Sequence, residues 1–484
     1  MIIRLRIIAL GLLAGLALTV SGCGGASTGA SSSSGATLVR ADSLLFFAVN
    51  SDTSSSQWKQ LDTLSQKFPA RDQALSKIEQ SLTGKGVSWQ DDVKPALGPE
   101  VDFVVGGGGA SFSNITGIGL TKPDDPDKLK ALVDKMNAQP DSGHPSVMRK
   151  LSDGWYALGD TQSDIDKVLK ASDGTALADD STYKDALSKL PSDTLATAYV
   201  NGPQLAAAIH QELKAHPGSF SGSTAGLDKL DFVAASLSAE DDGVRLHGAV
   251  QGQGASSLGS GDYSSKLLGE APTDAFAFFS FRGGQAIGAG LSQTAAPFES
   301  ALGVSLKRVL ELFQNENALW VRPGAVIPEF TAILQPDDTT SGLATLDKLM
   351  RFLAGSSGAT VRGGAEKTLS FGKQFQLHYG AVGSKLVLTS APGGIESVGS
   401  PGENLADSAD FKEATGAAGM PSSNGGFLYV DLKNAIPLIE GFASLSGSSL
   451  PSSTTENLRP LRSFLTWSAG SGDARTFDAF LEIK

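Results

Sequence analysis

A single cysteine stands among 484 residues, and its surroundings carry the clearest chemistry in the chain. Cys23 follows Val20-Ser21-Gly22: an apolar residue, two small residues, then a thiol. A thiolate forms a thioether readily near neutral pH, and small neighbours let a peptidase close on the backbone. The arrangement resembles a bacterial lipobox, whose cysteine receives a diacylglyceryl group before cleavage, here between Gly22 and Cys23. Upstream, Arg4 and Arg6 form a short cationic region, and Ile7 to Val20 is an apolar run of 14 residues. That run is too short to cross about 30 Å of hydrocarbon as a permanent helix. Residues 1–22 therefore read as a lipoprotein signal peptide and Cys23 as the lipidation site. The expected location is the extracytoplasmic face of a bacterial membrane, with the lipid anchor as the membrane contact. Two acyl chains give stable anchoring at about 0.8 kcal/mol per buried methylene.

Other reactive side chains form no constellation. The five histidines are His144, His210, His216, His247 and His378, and no two share the i, i+4 spacing of a zinc helix. Gly25-Ala26-Ser27-Thr28-Gly29 matches the G-x-S-x-G nucleophile pattern but lacks the strand before it and the helix after it that the pattern needs. Gly106 to Gly109 follows an apolar strand, where a phosphate loop would begin, yet the G-x-x-x-x-G-K-[ST] lysine is missing. A hairpin connection is the expected role. The acidic pairs, including Asp91-Asp92, Asp124-Asp125, Asp241-Asp242 and Asp337-Asp338, show no calcium-loop spacing. Those after Pro123 and Pro336 precede expected helices at 126–137 and 343–353, where a carboxylate caps exposed amides and meets the positive end of the helix dipole. No catalytic residue, cofactor or metal is expected.

Composition narrows the partners. Formal charge is −12, and loss of Arg4 and Arg6 with the leader makes it −14, a field that disfavours nucleic acid. Apolar residues make up 40% and charged residues 19%, which fits a soluble globular body. With Cys23 acylated, no disulfide is available, so the body must stand on its core.

From Gly24 to about Ala36 the sequence reads GGASTGASSSSGA, expected to act as a tether, assigned to residues 23–39 with the cysteine. Beyond it the chain repeats itself. Ala41–Val49 matches Pro272–Ser280, and Gly119–Asp125 matches the stretch ending Pro336-Asp337-Asp338. Asp134-Lys135 matches Asp347-Lys348, Tyr156–Leu158 matches Leu386–Leu388, Leu177–Asp185 matches Leu405–Glu413, and Tyr199-Val200-Asn201 matches Tyr429-Val430-Asp431. A period above 200 residues means duplicated domains and not a solenoid. The repeats are placed at 40–250 and 265–484, with a Gly/Ser linker at 251–264.

In the first repeat, strands are expected at 44–50, 101–106, 114–121, 154–159, 195–201, 231–238 and 244–250, and helices at 57–83, 126–137, 162–170, 180–188 and 203–214. Asp241-Asp242-Gly243 reads as a hairpin turn. Such turns favour an α+β class: two tandem homologous domains, each a mainly antiparallel sheet with packed helices. The aromatic run Phe276, Phe278, Phe279, Phe281 implies a strand buried on both faces.

The order of these blocks, with the Pro/Ala-x-Asp lead-in and the Leu-Ala-x-x-x-x-Phe/Tyr-Lys segment, resembles the bacterial domain-of-unknown-function family 3352. The resemblance covers nearly everything after residue 40 and implies an exported or membrane-anchored protein, with no activity attached. The expectation is a non-enzymatic envelope lipoprotein binding a hydrophobic ligand, a peptide or another envelope protein, with a cleft between the halves as the place for an apolar ligand. The amphipathic stretch Ile436–Leu445 is a candidate cover. A scaffolding role without a ligand is the alternative, and an envelope hydrolase a more distant one.

Overall fold

The structure, a computed structural model, describes residues 34–484 except 107–114, 139–144, 171–173, 217–225, 254, 256–260, 284–298, 301–302, 326, 373–374, 400–401 and 446–450. Cys23, the G-x-S-x-G match, most of the Gly106–Gly109 stretch and His144 lie outside the described residues. The chain divides into two compact units, one running to residue 253 apart from 221–225, the other taking 254–483. The class is α+β, built on antiparallel strands.

Unit 1 contains β1 (Leu45–Asn50), β2 (Glu100–Val105), β3 (Gly117–Thr121), β4 (Val147–Lys150), β5 (Tyr156–Gly159), β6 (Ala196–Asn201), β7 (Leu230–Glu240) and β8 (Gly243–Gly252). They lie in the order β4-β5-β3-β2-β1-β6-β7-β8, each pair antiparallel. Its principal helices are α1 (Ser56–Ser65), α2 (Arg71–Thr83), α3 (Pro126–Asn137), α4 (Gln162–Val168), α5 (Ser181–Ser188) and α6 (Gly202–Ala215). The single helix expected over 57–83 is two. Pro69 lies in the break, and a residue without an N–H cannot continue a helical ladder. The short strand β4 went unpredicted because Val-Met-Arg-Lys offers only one alternation.

Unit 2 contains β9 (Ala277–Arg282), β10 (Glu316–Arg322), β11 (Glu329–Leu334), β12 (Thr360–Gly363), β13 (Lys367–Phe371), β14 (Phe375–Val382), β15 (Lys385–Thr389), β16 (Gly426–Asp431), β17 (Leu461–Ser471) and β18 (Ala474–Ile483). Their order is β12-β13-β14-β15-β11-β10-β9-β16-β17-β18, again antiparallel. The main helices are α7 (Thr339–Ser357), α8 (Ala409–Ala418) and α9 (Leu432–Leu445). Removing β12 and β13 leaves the connectivity of unit 1.

The correspondence extends to side chains. Phe46 lies between Val104 and Tyr199, and Phe278 between Trp320 and Tyr429. Tyr183 meets Tyr199 edge-on at 5.1 Å, and Phe411 meets Tyr429 edge-on at 5.1 Å. Leu120 faces Ala157, and Ile333 faces Val387. The pairing moves one expected match by a residue: Arg40, and not Ala41, corresponds to Pro272. Each bridges to the residue before a buried leucine, Arg40 to Ala176 and Pro272 to Asn404. Only that register keeps both phenylalanines on the core side of their strands.

One face of the strands in each unit carries the main core. In unit 1 Phe46, Val104, Ile118, Tyr199 and Ala234 pack with Ile165 and Val168 of α4 and with Tyr183 of α5. In unit 2 Phe278, Trp320, Ile333, Tyr429 and Leu465 pack with Phe411 of α8. The other face is covered in part. There α3 brings Leu129 and Val133 onto Tyr156, and α7 brings Leu346 onto Leu386 and Tyr379.

Both units are fastened at their lead-in. A 3-10 turn at Ser34–Thr37 starts unit 1, and another at Leu267–Glu270 serves unit 2. Residues 34–39, expected in the tether, are thus part of unit 1, with Ala36 and Val39 wholly buried. Tyr263, expected in the linker, bridges to Asn424 of unit 2.

Candidate binding surface

Alternation along β9 decides which side chains meet water. Phe278 and Ser280 point into the core and are fully buried. Phe279 and Phe281 therefore take the opposite face, and Phe279 is 39% exposed. The strand is not covered on both sides, contrary to the expectation from its aromatic content. Its neighbours continue the apolar row: Leu319 of β10 lies directly opposite Phe279 and is 38% exposed, and Leu428 of β16 faces Phe279 from the other side. Phe279 stacks on Phe281 at 5.1 Å, and Phe281 meets Phe313 at 6.1 Å.

The equivalent place in unit 1 is also apolar. Phe47 of β1 lies between Phe103 of β2 and Ala198 of β6, and both phenylalanines are half-buried. A Cβ on Gly117 would sit 3.1 Å from the Phe103 ring, so glycine there leaves room for the ring beside the next strand. Aromatic side chains near the middle of a sheet face normally receive a covering layer, since each is worth about 1.5–3 kcal/mol when fully buried. Asn317, paired with Phe281, is wholly buried on this side. Its amide donates to the carbonyls of Phe313 (3.2 Å) and Asn315 (2.9 Å), while Oδ1 has no partner among the described residues.

The residues singled out for chemistry are dispersed. His210 pairs with Asp228 at 2.6 Å, His216 with Glu212 at 3.0 Å and His378 with Glu366 at 3.1 Å, while His247 reaches the Lys189 carbonyl at 3.2 Å. Asp125 accepts from the amides of Asp127 and Lys128 at the start of α3, and Asp338 from Thr340 and Ser341 at the start of α7. These acidic pairs are helix caps. Asp92 accepts from Lys135 (2.8 Å) and from the Ser88 amide, and that company holds its carboxyl below the usual range. Among the described residues no three histidines, cysteines or carboxylates gather as metal ligands.

Two glutamates, Glu316 buried and Glu100 half-buried, were not anticipated. Glu316 accepts from Ser265 Oγ (2.5 Å), from the amides of Lys266 (2.9 Å) and Leu267 (3.1 Å), and from Ser280 Oγ (3.4 Å). The Tyr263 hydroxyl completes the chain at 2.8 Å from Ser280, and burial pushes it up to about 12. Glu100 accepts from the Gly35 amide at 3.4 Å in the matching place. Each glutamate caps the amides of its lead-in turn. The partners lie 65 and 49 residues apart, which no local pattern reveals.

A third carboxylate joins α7 to the sheet. Asp347 accepts from Lys367 (2.8 Å), Tyr379 (2.8 Å) and Arg351 (2.9 Å). Burial opposes its ionisation, but these donors outweigh burial and hold it at about 2.

Among solved structures, crystal form III of TP0453 is similar at 11% identity, covering 46% of this chain and 95% of that one with a TM-score of 0.24. Crystal form I of TP0453 gives 12% identity, 45% and 79% coverage and a TM-score of 0.24. Likeness at this level assigns neither fold nor function. No curated protein matches the sequence. The family profile described as "Protein of unknown function (DUF3352)" matches residues 138–483, starting inside unit 1 and not near residue 40. That span is well over half of the chain, and the chain belongs to the DUF3352 family.

Proposed function

We propose that this is an envelope lipoprotein, anchored through Cys23 outside a bacterial membrane, whose duplicated α+β body binds an apolar ligand without catalysing a reaction. The lipobox-like Val20-Ser21-Gly22-Cys23 supports the anchor. Matching connectivity, matching core contacts and matching glutamate caps support duplication of one domain. The observation that carries the binding role is the open row Leu319–Phe279–Leu428 on the face of the unit 2 sheet. Covering the exposed parts of Phe279 and Leu319 would contribute about 2–4 kcal/mol, enough for a ligand to use.

A fluorescent fatty acid tests this reading. The wild-type protein should bind it, and the Phe279→Ser/Leu319→Ser variant should bind about tenfold or more weakly while still unfolding cooperatively, with a Tm lowered by the lost packing of the two side chains. A titration curve that is the same for both proteins would remove the row from the proposal.

A further inference from the structure

The bilayer-facing end of unit 1 can be read from where its fixed chain begins, given the anchoring proposed above. The first described residues are clamped. Gly35 donates to Glu100 Oε1, and a Cβ on it would fall 1.7 Å from the Asp102 carboxylate, so the backbone lies directly on β2. The same Cβ would be 3.4 Å from the Trp155 ring. Leu38 accepts from the Lys170 amide and Val39 from the Leu177 amide, and Ala36 and Val39 are wholly buried.

Direction follows from the strand pairing. The segment starts beside Glu100, where β2 begins and where its partner β1 ends at Asn50. It then crosses the core side of the sheet to the opposite end, where the Leu44 amide donates to the Val105 carbonyl. The first described residues, Ser34 and Gly35, therefore lie at the Asn50–Glu100–Trp155 end of unit 1. Only residues 24–33 separate that point from Cys23. Whatever their conformation, ten residues reach at most about 35 Å. The two ends of unit 1 are separated by the six-residue length of β1 and β2, about 17–20 Å, so their difference in height is about half the full reach of the leash.

We propose that unit 1 turns its Asn50–Glu100–Trp155 end toward the lipid surface and holds the Leu45–Val105–Leu230 end away from it. This rests on acylation of Cys23. Because Cys23 is the only cysteine and would be blocked by the lipid, one introduced cysteine gives a unique label. Ser152→Cys marks the near end and Lys229→Cys the far end, both at exposed positions.

The full-length lipoproteins, reconstituted in phosphatidylethanolamine/phosphatidylglycerol vesicles carrying an acceptor lipid, should show several-fold greater energy transfer from position 152 than from 229. Inserting about thirty Gly/Ser residues after Ser33 should erase the difference and leave the vesicle-bound fraction unchanged. Equal transfer from both positions, or more from 229, in protein whose mass confirms acylated Cys23 would overturn the orientation and leave the anchor standing. An unmodified Cys23 would overturn both.

Discussion

Carboxylates govern this molecule at the level of single residues, and they do so as fasteners. Glu316 takes four donors in a buried site, so Glu316→Ala leaves Ser265, Ser280 and two amides without their acceptor. The expected loss is about 2–4 kcal/mol, with Glu316→Gln milder because it keeps one accepting oxygen; thermal unfolding of both variants checks the order. Asp347 makes a prediction about pH. Its folded pKa of about 2 lies below the unfolded value of 3.8, so its contribution is fully present above about pH 4 and fades as pH falls toward 2. Asp347→Asn should cost about 1–2 kcal/mol near neutrality, allowing for the water that still reaches the group, and should flatten the stability profile below pH 4. Urea midpoints at pH 6 and 2.5 measure this. A wild-type midpoint that falls no more steeply than the variant's would contradict it. Neither Glu316 nor Asp347 was marked out for its chemistry in the sequence, because most of their partners lie far along the chain; only Arg351, four residues from Asp347, is local. The local caps Asp125 and Asp338 were, because their partners lie two and three residues away.

Elements were legible where periodicity is long and breakers are plain. Helix α3 occupies the expected 126–137, with Asp125 as its cap and a proline at its first position. The hairpin at Asp241-Asp242 joins β7 and β8 as its turn residues implied. The faces of β9 were misread because a run of aromatics hides alternation: Phe276, Phe278, Phe279 and Phe281 look uniformly apolar, yet burial is complete at Phe278 and partial at Phe279. Among the described residues the pair β12–β13 has no counterpart in unit 1, and no matched block announced it. One junction depends on a missing side chain. A Cβ on Gly202 would lie 2.0 Å from the Leu230 carbonyl oxygen, so α6 and β7 touch backbone to backbone there. Gly202→Ala should destabilise unit 1 by about 3 kcal/mol or more, visible as a large drop in Tm; a change within about 0.5 kcal/mol would mean that the contact is easily relieved.

On the scale of the whole molecule, two units whose described strands share one connectivity, β12 and β13 aside, each present phenylalanine on the second face of their strands. An isolated exposed leucine needs no explanation. A registered row of Leu319, Phe279 and Leu428, repeated in kind by Phe103, Phe47 and Ala198, is a shared feature of the architecture. The proposed anchor rests on the lipobox-like Val20-Ser21-Gly22-Cys23 in the sequence, while the proposed binding row emerged only once pairing had sorted inward from outward side chains. Native mass spectrometry of the mature protein, taken from its own membranes in mild detergent, tests the account most directly. It predicts a covalent diacylglyceryl mass on residue 23 together with a non-covalent apolar adduct that is depleted in Phe279→Ser/Leu319→Ser. A bare mass in the wild type, or an adduct retained equally by the variant, would contradict it.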